Sequence, residues 1–420
     1  MFIIRILLVI LAFSYWNFPL YLVTVPYWVN QLIYNGVPLL YILKQRSLII
    51  DIFKSATRQK YCIYILLTTM FVILISIATL IYNNSDDYSY FGKFFEVFRS
   101  IYVDVFLLLI ASRTLKNENI LESFSWFWGA SLTFCVSFTI ATLLIPELRI
   151  YWQSLIVQTQ FVQELVDMEM YITRFSIGGF SGYGQTIMCS IGVALSLFLI
   201  CRGHKVGYIF LVFSIVGNLF YGRIGLILSG IAIIVFMIQS KNIKIIAKSF
   251  IVIMLIVTFI SIFFKVTDIP LLYAWASWLI DPIESFMNGL QYGQITFGSS
   301  GNKLVYDMYW LPNVDTLILG DGRYTDESGS YYMHTDAGYM RIVLYFGMMG
   351  AFFLYMLFML LFLWAKHVNK FDRLSKYVTE VLLCFFIVEE YKGDAFQLLF
   401  GMMSVCIVCG ILKLDNKDIR

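Results

Sequence analysis

Residues 61–82 read YCIYILLTTMFVILISIATLIY, twenty-two residues without a formal charge. Roughly 20 mostly apolar residues are enough for a helix to cross the hydrocarbon of a bilayer, so this run reads as a membrane span. Just before it, the connection from Lys44 to Lys60 carries Lys44, Arg46, Lys54, Arg58 and Lys60. Basic residues collect in cytoplasmic connections, which places this connection inside and points the span outward.

Similar runs recur along the 420 residues, of which 60% are hydrophobic, 18% aromatic and only 14% charged. The mean hydropathy is +0.78. These values exclude an ordinary soluble globular fold and put the chain in the membrane class. The expected fold is all-α: a polytopic integral membrane protein forming a single transmembrane domain over 1–420, with about 12 helices and a range of 10–12.

The spans are predicted at about 1–16, 20–43, 61–82, 94–112, 123–145, 184–201, 206–221, 223–240, 248–266, 338–365, 376–391 and 395–413. Pro19, Pro26, Asn30 and Pro38 interrupt the first two. The opening MFIIRILLVILAFSYW has a charge and an apolar run like a secretory signal, but no small-x-small cleavage site, so it reads as a retained first helix.

Every second connection is basic, which gives 20 Lys and Arg inside against 7 outside and leaves both termini cytoplasmic. The net charge of +3 is too small to suggest a nucleic-acid partner. The seven cysteines lie in or beside apolar segments, where they serve as small hydrophobes. No disulfide framework and no metal cluster follows from their spacing.

Two outer connections are too long to be simple turns, at 146–183 and 266–337. Long loops without structure of their own are uncommon and usually functional. The larger is rich in Tyr and Trp, unlike a disordered segment. Its first part, LLYAWASWLIDPIESFMNGL, has the spacing of short interfacial helices.

Charges within spans are costly and call for a reason. In FFEVFRSIYVDVFLLLIASR, Glu96 and Arg99 can pair at i,i+3, whereas Asp104 lies deeper. An ion pair that fixes packing and a substrate contact both fit. Glu380, Glu389, Glu390, Lys392 and Asp394 allow the same two readings.

Four arginines lie at or beside outer helix ends: Arg174 in RFSIGGFSGYGQ, Arg223 in NLFYGRIGLI, Arg323 in GDGRYT and Arg341 in HTDAGYMR. Arginine presents a planar fork of donors suited to phosphate oxygens, and glycines beside three of them let backbone approach a bulky ligand. Together they suggest an anion site on the outer face. His334 and Asp336, between Arg323 and Arg341, are candidates for a general base acting on a hydroxyl. His204 and His367 sit in cytoplasmic connections and read as solvated.

The chain resembles the Wzy-like O-antigen polymerase family and the related O-antigen ligases. The resemblance lies in the plan of about twelve helices with two enlarged outer loops, in RFSIGGFSGYGQ and FYGRIGLI entering helices, and in LILGDGRYTDESGSYYMHTDAGYMRIVLYFGMMG. It implies a GT-C-like glycosyltransferase of the bacterial inner membrane, acting at the periplasmic face on undecaprenyl-diphosphate-linked oligosaccharide without a nucleotide sugar, metal or other cofactor. A polymerase would transfer the growing glycan onto the next lipid-linked repeat for O-antigen or capsule, with a chain-length regulator as a possible partner. A ligase would transfer it to lipid A core.

By motif, the resemblance assigns Arg174, Arg223 and Arg323 to the diphosphate; Arg341 follows by proximity. A polysaccharide flippase or other transporter is the reading from another class. It would carry its charges midway through the membrane rather than at outer helix ends.

Overall fold

In the computed structural model the described residues are all-α apart from one minimal hairpin. The structure describes residues 2–18, 20–115, 119–157, 173–180, 182–240, 248, 281, 284–291, 296, 298–326, 330–394 and 396–418. Residues 249–266 of the predicted span 248–266 and the segment LLYAWASWLI lie outside the described residues, as do residues 158–172 of the first long loop.

Among the described residues, five helices are long and apolar enough to cross a membrane: Lys60–Tyr82, Ile120–Leu144, Tyr183–Cys201, Arg223–Ser240 and Gly338–Val368. Phe2–Asn17, Val206–Tyr221 and Leu398–Lys413 are shorter apolar helices. This is the pattern of a multi-pass membrane protein. The expected spans 94–112 and 376–391 are helical within Ser89–Leu115 and Arg373–Lys392.

The chain forms two compact units. The first comprises Met1–Lys44, Tyr102–Leu279 and Asp372–Val381; the second comprises Gln45–Ile101, Ile280–Phe371 and Leu382–Arg420.

In the first unit, α1 (Phe2–Asn17) is followed by α2 (Tyr27–Gln31), a π-helical turn (Leu32–Gly36) and α3 (Val37–Lys44). The span expected from residue 20 therefore begins later. Pro26 is extended (φ −52°, ψ 141°) and stands just before the first helical residue, in keeping with the bias of a proline and its predecessor away from helix interiors. Pro38 has no N–H to donate back along the helix, and the Tyr34 carbonyl instead accepts from Trp16 Nε1 at 2.9 Å.

The second unit contains α4 (Arg46–Thr57), α5 (Lys60–Tyr82) and the part of α6 (Ser89–Leu115) up to Ile101. The basic connection before residue 61 is thus largely helical, because SLIIDIF interleaves apolar and polar residues at helical spacing.

The first unit resumes with α7 (Ile120–Leu144), α8 (Pro146–Leu155) and the hairpin β1 (Phe175–Ser176) with β2 (Gly179–Phe180). Then come α9 (Tyr183–Cys201), α10 (Val206–Tyr221) and α11 (Arg223–Ser240). α9 is almost wholly buried and packs on α7, α10 and α11. Close approach rests on small residues. A methyl group added at Gly192 would lie 2.2 Å from Leu132, and one at Gly217 would lie 2.6 Å from Cys189.

The later elements of the second unit are α12 (Gly298–Asn302), α13 (Val314–Leu319), α14 (Gly338–Val368), the end of α15 (Arg373–Lys392) and α16 (Phe396–Asp418). α14 packs on α5 and α16. The outer face of α5 leaves Leu66, Met70, Phe71 and Leu74 exposed, as expected of side chains whose solvent is lipid.

Several of the charged residues have partners within the fold. Glu96 pairs with Lys93 at 3.7 Å. Glu380 lies 3.6 Å from Lys376 and accepts from Gln239. His204 pairs with Glu122, and His367 packs on Tyr61 with ring centroids 5.7 Å apart, so neither is simply solvated. Asp104 is buried within α6.

Candidate functional site

The site begins with a break in α14. Gly347 has φ 67° and ψ −177°, a conformation open in practice only to glycine, and it interrupts the helix. A break leaves carbonyls of the preceding turn without helical donors. The segment Gly320–Gly322 supplies replacements: Asp321 N–H donates to Leu344 O at 2.7 Å and Gly322 N–H to Tyr345 O at 3.2 Å. Gly320 (φ 75°, ψ 167°) ends α13, and a methyl group there would sit 2.3 Å from the Tyr345 carbonyl oxygen. The GDG run is therefore a backbone plug seated in a broken helix.

The plug is fastened from α5 and the turn after it. Asn83 Nδ2 donates to Gly320 O at 2.9 Å and Ser85 Oγ to Gly322 O at 2.7 Å. The Asp87 carboxylate accepts from the backbone N–H groups of Tyr324, Thr325 and Ser89 at 2.6, 2.8 and 2.9 Å. Burial works against ionisation of Asp87, but the donors from Ser89, Thr325 and Tyr324 outweigh it and hold the carboxyl below its ordinary value.

A depressed folded pKa gives stability that is present above the unfolded value and lost as pH falls through the folded one. Thermal unfolding should therefore become easier as pH falls below about 3.8, the ordinary Asp value. Asp87→Asn should cost roughly 1–3 kcal/mol at neutral pH, as expected when buried donors lose a charged acceptor, and should flatten that acid branch. Midpoints measured against pH in detergent test both.

Arg341 lies one turn into α14 and is 4% exposed. Gly338 permits the approach of the neighbouring turn, since a methyl group there would lie 2.4 Å from Gly393 O. The Arg341 guanidinium lies 4.2 Å from the Tyr324 ring centroid and 3.6 Å from that of Tyr331. Ring faces attract the cation but accept no conventional hydrogen bond. Nε and Nη2 of Arg341 are buried without a hydrogen-bond partner. These atoms form one edge of the guanidinium, the edge that grips two oxygens of a carboxylate or phosphate side by side.

Tyr324, the inner ring, also meets an acid and a second cation. Tyr324 OH donates to Asp394 Oδ2 at 2.6 Å, and Lys93 Nζ lies 3.6 Å from the same oxygen and 5.8 Å from the Tyr324 ring centroid. Burial opposes ionisation of Asp394, yet Lys93, Arg341 and the Tyr324 hydroxyl keep its carboxyl below the ordinary range. Burial and Asp394 in turn push the Tyr324 phenol far up, so it remains a donor. Asp394 and Lys93 also stand at the polar end of an otherwise apolar cavity of about 190 Å³, lined by Val97, Leu357 and Phe400 among others.

The six expected site residues are distributed as follows. Arg174 and Arg223 belong to the first unit: Arg174 lies against Gly182, where a methyl group would be 3.2 Å from Nη1 and 3.5 Å from Tyr221 O, two residues before Arg223. Arg323 and Arg341 belong to the second unit and differ sharply. Arg323 is exposed in an open depression of about 610 Å³ whose lining includes Asp86, Asp87 and Asp326, surroundings that disfavour an anion. Arg341 carries the buried, open fork. His334 and Asp336 are both exposed, on the segment that follows Tyr331.

Sequence reading left Lys93 and Asp87 out of the site, held Asp394 open between an ion pair and a substrate contact, and did not single out Tyr324 or Tyr331 among the aromatics. The available signal was acids in short turns beside apolar helices, in NNSDDYS and YKGDAF. Among the described residues no group of three or more His, Cys, Asp or Glu side chains could hold a metal ion.

Comparison with known protein families, with curated proteins and with solved structures finds no significant match to this chain.

Proposed function

We propose that the chain is a bacterial inner-membrane glycosyltransferase of GT-C-like plan that polymerises polysaccharide repeat units for O-antigen or capsule. In this reading it has about twelve spans, both termini in the cytoplasm and the site at the periplasmic face. The observation that carries the proposal is the buried Arg341 fork, whose Nε and Nη2 have no hydrogen-bond partner.

A buried donor without an acceptor costs about 1–3 kcal/mol, and more when charged. A chain that keeps one at the rim of a lipid-facing helix gains by having an anion to bind there. Undecaprenyl-diphosphate-linked oligosaccharide supplies that anion together with a hydrocarbon tail and a glycan.

The reaction follows from these parts. A hydroxyl of the acceptor repeat attacks the anomeric carbon, the carbon–oxygen bond to phosphate breaks, and the lipid diphosphate leaves. Charge grows on the leaving oxygens, where a preplaced guanidinium is most effective. The hydroxyl proton passes to His334 or Asp336, both exposed to an incoming acceptor.

Loss of the gene should leave lipid A core capped with at most one repeat, or abolish long capsule chains. An unchanged long-chain ladder would refute the polymerase reading, whereas long chains accumulating on undecaprenyl diphosphate would identify a ligase.

The surroundings of the two arginines separate their roles. Arg323→Ala should reduce chain synthesis only several-fold, because the acids around it already weaken anion binding. Densitometry of the glycan ladder at matched membrane abundance gives the figure. Complete loss with Arg323→Ala would shift the anion site to the open depression.

A further inference from the structure

Resting on the reading of Arg341 as an oxyanion site, the geometry points to Tyr331–His334 as a displaceable strap that covers the site when empty and is moved aside by the entering anion. Tyr331 is the outer of the two rings: its ring centroid is 3.6 Å from the guanidinium, yet the residue is 43% exposed. The inner ring, Tyr324, is 3% exposed and fixed through Asp394. The two rings against Arg341 are thus held unequally, one in the core and one at the surface.

The backbone beyond Tyr331 is under tension. Met333 (φ 56°) and His334 (φ 54°) are consecutive non-glycine residues in the left-handed region. Such residues persist only where the surroundings hold them, and strain of this kind concentrates at ligand clamps and switches. Both side chains are exposed.

The strap has firm ends. Thr325 and Tyr331 form an antiparallel bridge, with Tyr332 N–H on Tyr324 O at 3.1 Å. After the strained pair, buried Thr335 donates through Oγ1 to Met308 O at 3.0 Å. What lies between is a short bowed segment, held to the plug by the Tyr332 hydroxyl on the Asp321 carboxylate and to the site by the Tyr331 ring. An oxyanion that satisfies Nε and Nη2 in the guanidinium plane neutralises the cation and so weakens its attraction for the outer ring, after which the bowed backbone relaxes.

The experiment measures binding of inorganic pyrophosphate to the purified full-length protein in nanodiscs, with affinity from calorimetry and association rate from stopped flow. The strap requires Tyr331→Ala to associate about ten-fold faster than wild type and Tyr331→Phe, which keeps the ring, to match wild type. It also requires Met333→Gly to bind several-fold more weakly, because glycine removes the strain that favours opening without touching the ligand.

Equal rates for Tyr331→Ala and wild type, with binding intact, would overturn the strap and leave the oxyanion site standing. Weaker binding by Tyr331→Ala would also overturn it, making Tyr331 a part of the grip. No pyrophosphate binding by wild type or by Tyr331→Ala would overturn the oxyanion reading itself.

Discussion

Arg341→Met is expected to abolish glycan polymerisation, by about 100-fold or more, while the protein's membrane abundance and thermal midpoint hold or rise. The first half follows from the size of a lost charge-stabilising donor in a dry site, typically about 10²–10³ in rate. The second follows from burial. Arg341 is 4% exposed with Nε and Nη2 unsatisfied, and replacing buried charge by well-packed apolar groups is often neutral or stabilising by about 1–4 kcal/mol. Methionine keeps the length and the flexible stem, so Tyr324 and Tyr331 retain something to pack on.

A structural arginine would show the opposite pattern, losing stability first and activity only with it. Ladder length and thermal unfolding measured on the same preparations separate the two. Arg341→Lys should recover little, since an ammonium cannot present two parallel donors in one plane.

Gly347→Ala is expected to cost roughly 3 kcal/mol or more and to deplete the protein from the membrane. The alanine methyl would lie 2.2 Å from Ile318 O in a backbone conformation, φ 67° and ψ −177°, that only glycine adopts readily. Gly350→Ala, three residues on within the helix, is a useful contrast. Its added methyl meets the Phe346 side chain at 2.3 Å rather than backbone, so a side-chain shift can relieve it. If Gly347→Ala unfolded at the wild-type temperature, the plug would not hold the helix in its broken form.

These expectations show what could be read from the residues and what could not. The apolar runs and the position of GDGRYT before a late helix were legible, because hydropathy and spacing are local properties. The break at Gly347 was not. In VLYFGMMGAFF it is one small residue within a continuous apolar run, and composition does not register a change in φ. Arg341 was visible as a charge near a helix end, but its two unsatisfied nitrogens depend on rings 10 and 17 residues earlier.

Asp87 escaped notice, and Asp394 stayed open between an ion pair and a substrate contact, because each is one acid in a short turn. Their partners are distant along the chain: Asp87 binds backbone at Tyr324 and Thr325, and Asp394 binds the Tyr324 hydroxyl. Arg323 drew attention through its glycine neighbours. It stands among three carboxylates that the sequence places 236 and 237 residues before it and three residues after.

The repair of α14 by Asp321 and Gly322 also bears on how the chain is made. A helix entering the bilayer with two bare carbonyls at Leu344 and Tyr345 would face several kcal/mol of cost for each, and the donors that relieve it leave the ribosome first, more than 20 residues upstream. α14 can complete its break only when that upstream plug and the exit of α5 are already beside it. Biogenesis of the second unit is therefore ordered by the plug: α5 and its turn must wait near the insertion machinery until the last third of the chain arrives, and amides 321 and 322 should be among the last in the loop to exchange with solvent once it has.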